Sequence, residues 1–382
     1  MSEREIGVAM NGVTGRMGRN QHLERSIIAI RDQGGVELPT GERLTPVPVL
    51  VGRNESKLTD LAEQYGVERW TTDLREVLDD PDIEIYFDSQ LTSLRTEAVA
   101  AAIGAGKAIY CEKPLAEDAA GAHRLRRLAS EAGVKVGIVQ DKLFLPGLVK
   151  LRRLLDSGFF GRVLSVRGDF GYWVFEGDVE PSQRPSWNYK VDEGGSIILD
   201  MFPHWQYVIE GLFGPIESVC VLGTTHIPTR YDDDGAYQAT ADDSAYAMMQ
   251  LADGTVIQIN SSWATRVYRD ELVVFQVDGV DGSAVAGLHH CRQQHRSSTP
   301  RPVWDPDVPN PIDFRSGWLD VPEASPPDNG FKVQWEAFLR HVTLDEPFPW
   351  DFSAAARGVE LVDAAMLSWK ERRWVDMVEV SR

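Results

Sequence analysis

The sequence predicts a two-domain α/β protein, an N-terminal doubly wound parallel sheet followed by an α/β domain built on a large, mainly antiparallel open sheet. Three observations carry this. An apolar run, Ile6 to Met10, leads directly into Gly12-Val13-Thr14-Gly15-Arg16-Met17-Gly18, after which His22, Leu23, Ile27 and Ile28 fall at helical spacing. Short apolar runs then alternate with helical segments as far as Val139, which implies parallel βαβ units. From Val163 onward strand-like runs follow one another with few helices between them, which implies antiparallel pairing. A chain of 382 residues with 43% hydrophobic content can bury more than one core. The expected division is a first domain over 1–145 and a second over 146–382, whose closing helices can pack back on the first.

In the first domain the glycine turn is the first place to look for a ligand. Its glycines let backbone approach a pyrophosphate, and the first amides of the following helix add donors and a favourable dipole. Gly12, Thr14, Gly15, Arg16, Met17 and Gly18 are therefore the candidate cofactor contacts. A second strand, Val47 to Val51, ends at Gly52-Arg53-Asn54, where a ribose-binding acid is missing. Arg53 would pair with a 2'-phosphate and Asn54 lies beside it, so NADP is favoured over NAD. Arg31 to Pro46, with its Gly34-Gly35 and Thr40-Gly41 turn signals, reads as an inserted hairpin or extended loop. Helices follow at 55–65 and 74–78, a strand at 83–87, a helix at 96–105, a strand at 108–110, a helix at 119–132 and a strand at 134–139.

The second domain shows strands at 163–167, 216–223, 244–251, 255–263 and 271–277. Tyr231 to Asp243 and the proline-rich Ser297 to Pro327 read as loops, and 331–341 and 354–370 as amphipathic helices.

Ligands of doubly wound sheets bind at the carboxyl ends of the strands, and Cys111-Glu112-Lys113-Pro114 occupies such an end. Asp200 and His204 are four apart, so a continuous helix would place them on one face. Pro203 leaves a second reading open, in which the helix begins near the proline and Asp200 caps it. Oxidation of an alcohol needs a group to take the hydroxyl proton, and a neutral histidine or a lysine of lowered pKa can do so.

Glu112-Lys113-Pro114 after Gly106-Lys107, the glycine turn, and Gly194-Gly195 followed by Asp200 and His204 together resemble the glucose-fructose oxidoreductase, inositol dehydrogenase and rhizopine-catabolism (Gfo/Idh/MocA) family. The likeness runs along nearly the whole chain, including Phe159-Phe160-Gly161, Asp242-Asp243 and Trp335, Phe338 and Ser368 in the closing helices. It implies a Rossmann domain, an open-sheet second domain and a nicotinamide-dependent oxidoreductase of sugars or cyclitols. It also implies Lys113, Asp200 and His204 as the catalytic set, with His204 as base, Lys113 polarising the oxygen and Asp200 orienting; the lysine and the histidine could exchange roles. Gln90, Glu112 and Lys113 become further cofactor contacts, and Lys142, Trp187, Tyr189, Lys113, Asp200 and His204 the substrate contacts. Arg184, Asn188 and Lys190 are added as polar partners for sugar hydroxyls. Where many members carry Thr-Pro and then histidine, this chain has Gln90-Leu91 and Arg95. Gly-Arg-Met-Gly is also similar to dihydrodipicolinate reductases, which are shorter and lack the Glu-Lys-Pro lysine.

A formal charge of −19 disfavours nucleic acid and phospholipid surfaces as partners and favours a small carbohydrate or cyclitol. No secretory signal and no run of about 20 apolar residues is present, so neither export nor a membrane span is expected. Three scattered cysteines, Cys111, Cys220 and Cys291, argue against a disulfide framework or structural zinc and fit a reducing cytoplasm. No metal is expected, and the resemblance suggests a homo-oligomer, dimer or tetramer. The alternatives are a redox-neutral nicotinamide-dependent hydrolase or lyase, and a non-catalytic ligand sensor that keeps the fold.

Overall fold

The computed structural model describes residues 3–173 and 177–381. The chain divides into two compact units, one formed by the segment ending at Asp141 together with Asp328–Glu360, the other by Lys142–Pro327 with Leu361–Ser381.

The first unit is a doubly wound sheet. Its parallel strands lie in the order β3 (Arg43–Val51), β1 (Glu3–Asn11), β5 (Ile83–Asp88), β6 (Ala108–Cys111) and β7 (Val136–Ile138). The edge strand β3 carries two short partners, β2 (Val36–Glu37) antiparallel at its start and β4 (Arg69–Thr71) parallel at its end. The Arg31 to Pro46 insertion is thus a hairpin that lengthens β3 backward to Arg43, four residues before the expected start. Strand β4, too short for an alternation to register, is the strand the sequence reading missed.

Helices α2 (Glu55–Tyr65), α3 (Leu74–Leu78), α4 (Thr92–Gly104) and α5 (Ala119–Ala132) connect these strands. Helix α1 (Gly18–Ile28) winds with the wider i, i+5 spacing and continues as an α-helical turn over Ala29–Asp32. Helix α8 (Gly330–Leu344) returns from the far end of the sequence and buries Trp335, Phe338 and Leu339 in the same core as Val8, Leu23 and Phe87. The sheet is apolar on both faces because helices cover both, which is why β1 and β5 read as continuous apolar runs.

The second unit is a nine-stranded sheet. Its order is β17 (Leu319–Asp320), β16 (Cys291–His295), β15 (Gly282–Gly287), β14 (Val273–Gly279), β8 (Val163–Gly171), β13 (Val256–Ser262), β12 (Ser244–Leu251), β9 (Ile216–Thr224) and β18 (Val375–Asp376). All pairs are antiparallel except β8 with β13. Helices α6 (Pro146–Asp156) and α7 (Ile197–Phe213) pack on one face. On the other, the alternation leaves Leu164, Leu222, Tyr246, Met248 and Val256 exposed.

Three expectations are corrected here. Tyr231 to Asp243 is not all loop, since β10 (Thr229–Asp232) and β11 (Gly235–Gln238) form a hairpin around Asp233-Asp234. Strands β15 and β16 were missed because Gly282 to Gly287 is small and His289 to His295 polar, so neither alternates clearly. Helix α9 (Phe352–Glu371) starts two residues before the expected Ala354.

Candidate functional site

The strand order reverses at β1, whose neighbours are β3 on one side and β5 on the other, and the glycine turn leaves the carboxyl end of β1 at this reversal. Gly12 has φ +87°, and a Cβ there would stand 2.7 Å from the Ser89 carbonyl carbon and 2.8 Å from the Gln90 nitrogen. The turn therefore lies directly against the segment leaving β5. A Cβ on Gly18 would meet the Ser89 hydroxyl at 2.5 Å and the Gly12 carbonyl at 2.6 Å, so α1 can begin this close only as glycine. Gly15 differs: its Cβ position meets only the Gly12 carbonyl, at 3.4 Å. Space beside Gly15 and the first amides of α1 is what a pyrophosphate requires, and these residues fit a dinucleotide.

Thr14 and Met17 are half-buried in the turn, Arg16 and Arg53 are exposed, and a Cβ on Gly52 would stand 3.7 Å from Thr14 Cγ2, so the end of β3 lies beside the turn. The end of β3 carries no acid. Asn54, expected as a cofactor contact, caps α2 by accepting the Lys57 N–H at 2.9 Å, so its carbonyl oxygen already has a structural role.

The Lys113 loop is clamped on both sides. Arg95, fully buried, donates through Nε to Asp88 Oδ1 at 3.0 Å, to the Gln90 carbonyl at 2.8 Å, and to the Pro114 carbonyl. Asp88 also accepts the Gln90 N–H at 3.0 Å and the Tyr86 hydroxyl at 2.8 Å, and Tyr86 accepts from Asn11 Nδ2 at 2.8 Å. One buried polar chain thus joins the ends of β1 and β5 to the segment after Lys113. On the other side, Glu112 accepts from His22 Nε2 at 2.8 Å and from the Lys113 N–H at 3.1 Å. Burial pushes the Glu112 carboxyl up, but the His22 hydrogen bond and the nearby positive charges of Lys113 and Arg95 outweigh it and hold the group below its usual value. Glu112 is occupied as a holder of the lysine rather than open to the cofactor. Cys111 is a buried thiol pushed far up by desolvation, which leaves it chemically inert.

In the second unit, α7 is continuous from Ile197, so Asp200 is not its cap. Ser196 accepts the Leu199 N–H at 3.1 Å and Asp242 the Ile198 N–H at 3.0 Å, and these two caps start the helix six residues before Pro203. Pro203 sits inside it, removing only the donor that would meet the Leu199 carbonyl. Asp200 and His204 therefore share a face, as expected from their spacing.

Asp200 Oδ2 accepts from Arg184 at 2.8 Å, and Arg184 also bonds Asn188 Oδ1 at 2.9 Å and lies 4.1 Å over the Trp263 ring. Arg184, expected as a sugar partner, anchors Asp200, and Asn188, expected likewise, holds Arg184. His204, buried, shares a 2.8 Å hydrogen bond between Nδ1 and the Tyr207 hydroxyl, which accepts the Lys142 N–H at 3.3 Å. The Tyr207 hydroxyl at Nδ1 fixes the orientation of the His204 ring. Lys142 thus contributes its backbone to the histidine's partner.

Trp187 is exposed, whereas Tyr189 is fully buried, with the Arg230 guanidinium 3.9 Å over its ring and the edge of Trp263 at 5.6 Å. Tyr189 packs behind Trp263 and does not present a ring to a substrate. Sequence reasoning missed Asp88 and Tyr207 altogether, and gave no role in the site to His22, Arg95 or Trp335. Their signal was weak because a lone histidine or arginine inside a helix is indistinguishable from a core or surface residue until its partner in three dimensions is known. Among the described residues no group of three or more His, Cys, Asp or Glu is placed to hold a metal.

A glycine turn at the switch point of a parallel sheet, with room beside Gly15, marks the first unit as a dinucleotide-binding domain. Residues 6–140 match the model of an oxidoreductase family with an NAD-binding Rossmann fold, and residues 148–285 match the GFO/IDH/MocA C-terminal domain. The chain is 54% identical over 381 residues to a D-xylose dehydrogenase of Paenarthrobacter nicotinovorans, covering 98% of each. It is 25% identical over 252 residues to a levoglucosan dehydrogenase of Pseudarthrobacter phenanthrenivorans, covering 62% of this chain and 64% of that one. A solved levoglucosan dehydrogenase in complex with NADH and levoglucosan has the same fold, with TM-score 0.79 at 22% identity over 98% of this chain and 100% of that one. The chain belongs to the Gfo/Idh/MocA oxidoreductase family, and it is an NAD(P)-dependent enzyme.

Proposed function

We propose that the enzyme oxidises a secondary alcohol of a free sugar, with D-xylose the first substrate to test, and that it uses NADP in preference to NAD. The observation carrying the substrate class is the 54% identity to a D-xylose dehydrogenase along 98% of both chains. The cofactor preference rests on Arg53, exposed at the end of β3 where no carboxylate stands to repel a 2'-phosphate.

Gly12, Gly15 and Gly18 would hold the pyrophosphate of a dinucleotide whose nicotinamide would supply the hydride acceptor. The proposed catalytic residues, assigned from the family resemblance, act on the oxygen. His204 takes the hydroxyl proton, and the Tyr207 hydroxyl at Nδ1 fixes the ring for that task. The Lys113 ammonium stabilises charge on the oxygen, and Asp200, anchored by Arg184, orients a neighbouring hydroxyl. The carboxylate holds its place without drifting because its partner guanidinium is itself stacked on Trp263. In the same reading the enzyme is cytoplasmic and self-associates as a dimer or tetramer through the exposed face of the second sheet around Tyr246 and Met248; solution mass by light scattering tests the latter, and a monomer at micromolar concentration would overturn it. No described helix is long and apolar enough to cross a membrane.

A panel of pentoses, hexoses, pyranosides and inositols assayed with both dinucleotides tests the proposal. Reduced cofactor should accumulate in proportion to sugar consumed; turnover of a glycoside with no net change in nicotinamide absorbance would sink it in favour of the redox-neutral reaction. Arg53→Asp is expected to lower kcat/KM for NADP by roughly 10²-fold, the cost of replacing a charged phosphate hydrogen bond with a repulsion. NAD should be spared. Equal loss with both dinucleotides would show that Arg53 reads no phosphate.

A further inference from the structure

His22 is a fully buried histidine to which the reaction described above gives no part. It stands one turn into α1, the helix that opens at Gly18 of the cofactor turn. The Trp335 indole, which can only donate, reaches His22 Nδ1 at 3.0 Å. Nδ1 must therefore accept, and in the neutral ring the proton lies on Nε2, where it is donated to Glu112 Oε1 at 2.8 Å. The other Glu112 oxygen accepts the N–H of Lys113 at 3.1 Å. Phe87 and Phe331 close around the imidazole at centroid distances of 4.3 and 5.1 Å, so the ring has no second orientation available. A buried histidine–carboxylate pair is a poor source of stability compared with apolar packing of similar volume, and is better explained as a device that fixes geometry.

We propose that His22 is a positioning residue for Lys113: through Glu112 it ties the lysine to the helix that begins at the dinucleotide turn, so that the lysine's place is set relative to the bound cofactor. The inference rests on Lys113 acting in the reaction. The His22 tautomer set by Trp335 makes the tie directional, since an Nδ1–H ring would turn a lone pair toward the carboxylate.

The experiment compares His22→Gln, His22→Asn and His22→Leu in the full-length enzyme, with Lys113→Met in parallel, all with the best sugar of the panel. Gln places its amide nitrogen near the Nε2 position, whereas Asn falls short of Glu112 and Leu has no donor. His22→Gln should keep kcat within about threefold, while His22→Asn and His22→Leu should lose roughly ten- to a hundredfold in kcat, the scale of a misplacement of about an ångström. KM for the sugar and the dinucleotide dissociation constant, read by fluorescence titration, should change by less than about threefold. A His22→Gln variant as impaired as His22→Asn, or losses that appear in dinucleotide affinity instead of kcat, would overturn the proposal. Histidine-selective nitrogen NMR of the unmodified enzyme supplies a readout independent of turnover and of any variant that fails to fold. It should show His22 protonated at Nε2, and a ring protonated at Nδ1 alone would refute the tie. If Lys113→Met kept turnover, the reading of Lys113 would fail and this inference with it; an inactive Lys113→Met beside a fully active His22→Asn would defeat the inference alone.

Discussion

Replacing Lys113 with methionine is expected to lower kcat by about 10²–10⁴-fold, the range ascribed to a positioned acid–base group, while leaving dinucleotide affinity within a few fold. Methionine keeps the length and apolar stem of lysine but removes its charge and three donors. The loop itself should survive, because what holds it is the Arg95 contact with the Pro114 carbonyl and the His22 bond to Glu112, neither of which is made by the lysine ammonium. The measurement is steady-state kinetics with the panel's best sugar alongside fluorescence titration of NADPH. A variant that binds NADPH and turns over normally would remove Lys113 from the reaction and revive the ligand-sensor alternative. One that no longer binds NADPH would make the lysine a cofactor ligand first.

The largest effect on stability is expected from Asp243→Ala. Asp243 and Arg230 pair at 2.8 Å with both side chains fully buried. The same carboxylate accepts the His226 and Ile227 N–H groups, each at 3.0 Å, and the Ser244 hydroxyl at 3.1 Å. Removing it leaves a guanidinium charge and two amides in the interior, a loss of about 3–5 kcal/mol. The effect should reach the site, because Arg230 stacks on Tyr189, Tyr189 meets the edge of Trp263, and Trp263 carries the Arg184 that anchors Asp200. Denaturant titration of the variant should show a midpoint far below that of the unmodified enzyme, and the double variant Arg230→Met/Asp243→Ala should recover part of the difference by removing the stranded charge. A single variant as stable as its parent would show that water or a rearranged loop satisfies Arg230.

Much of the site's cofactor half was legible because its chemistry is local in sequence. Strand, glycine turn and helix follow within Ile6 to Ile28, and the strand end that carries Glu112, Lys113 and Pro114 is a contiguous stretch. The four-residue spacing of Asp200 and His204 was equally readable, since helical geometry alone puts them on one face. Whether that helix began before or after Pro203 was open, and Ser196 and Asp242 decided it; Asp242 lies 44 positions from the N–H it caps. Tyr189 was misjudged for the same reason, because an aromatic beside a double glycine reads alike whether its ring faces substrate or lies under an arginine.

By itself, then, the order of residues determined the fold class, the cofactor turn, the lysine at its strand end and the Asp200–His204 face, all of which follow from periodicity, backbone sterics and adjacency. Only the tertiary structure decided what holds those groups: His22 with Trp335 on Glu112, Arg95 on Pro114, Arg184 on Asp200 and Tyr207 on His204. These partners lie from 3 positions apart, for His204 and Tyr207, to 313, for His22 and Trp335. A buried hydrogen bond is selected by distance and desolvation in three dimensions, and a single sequence carries no local mark of it.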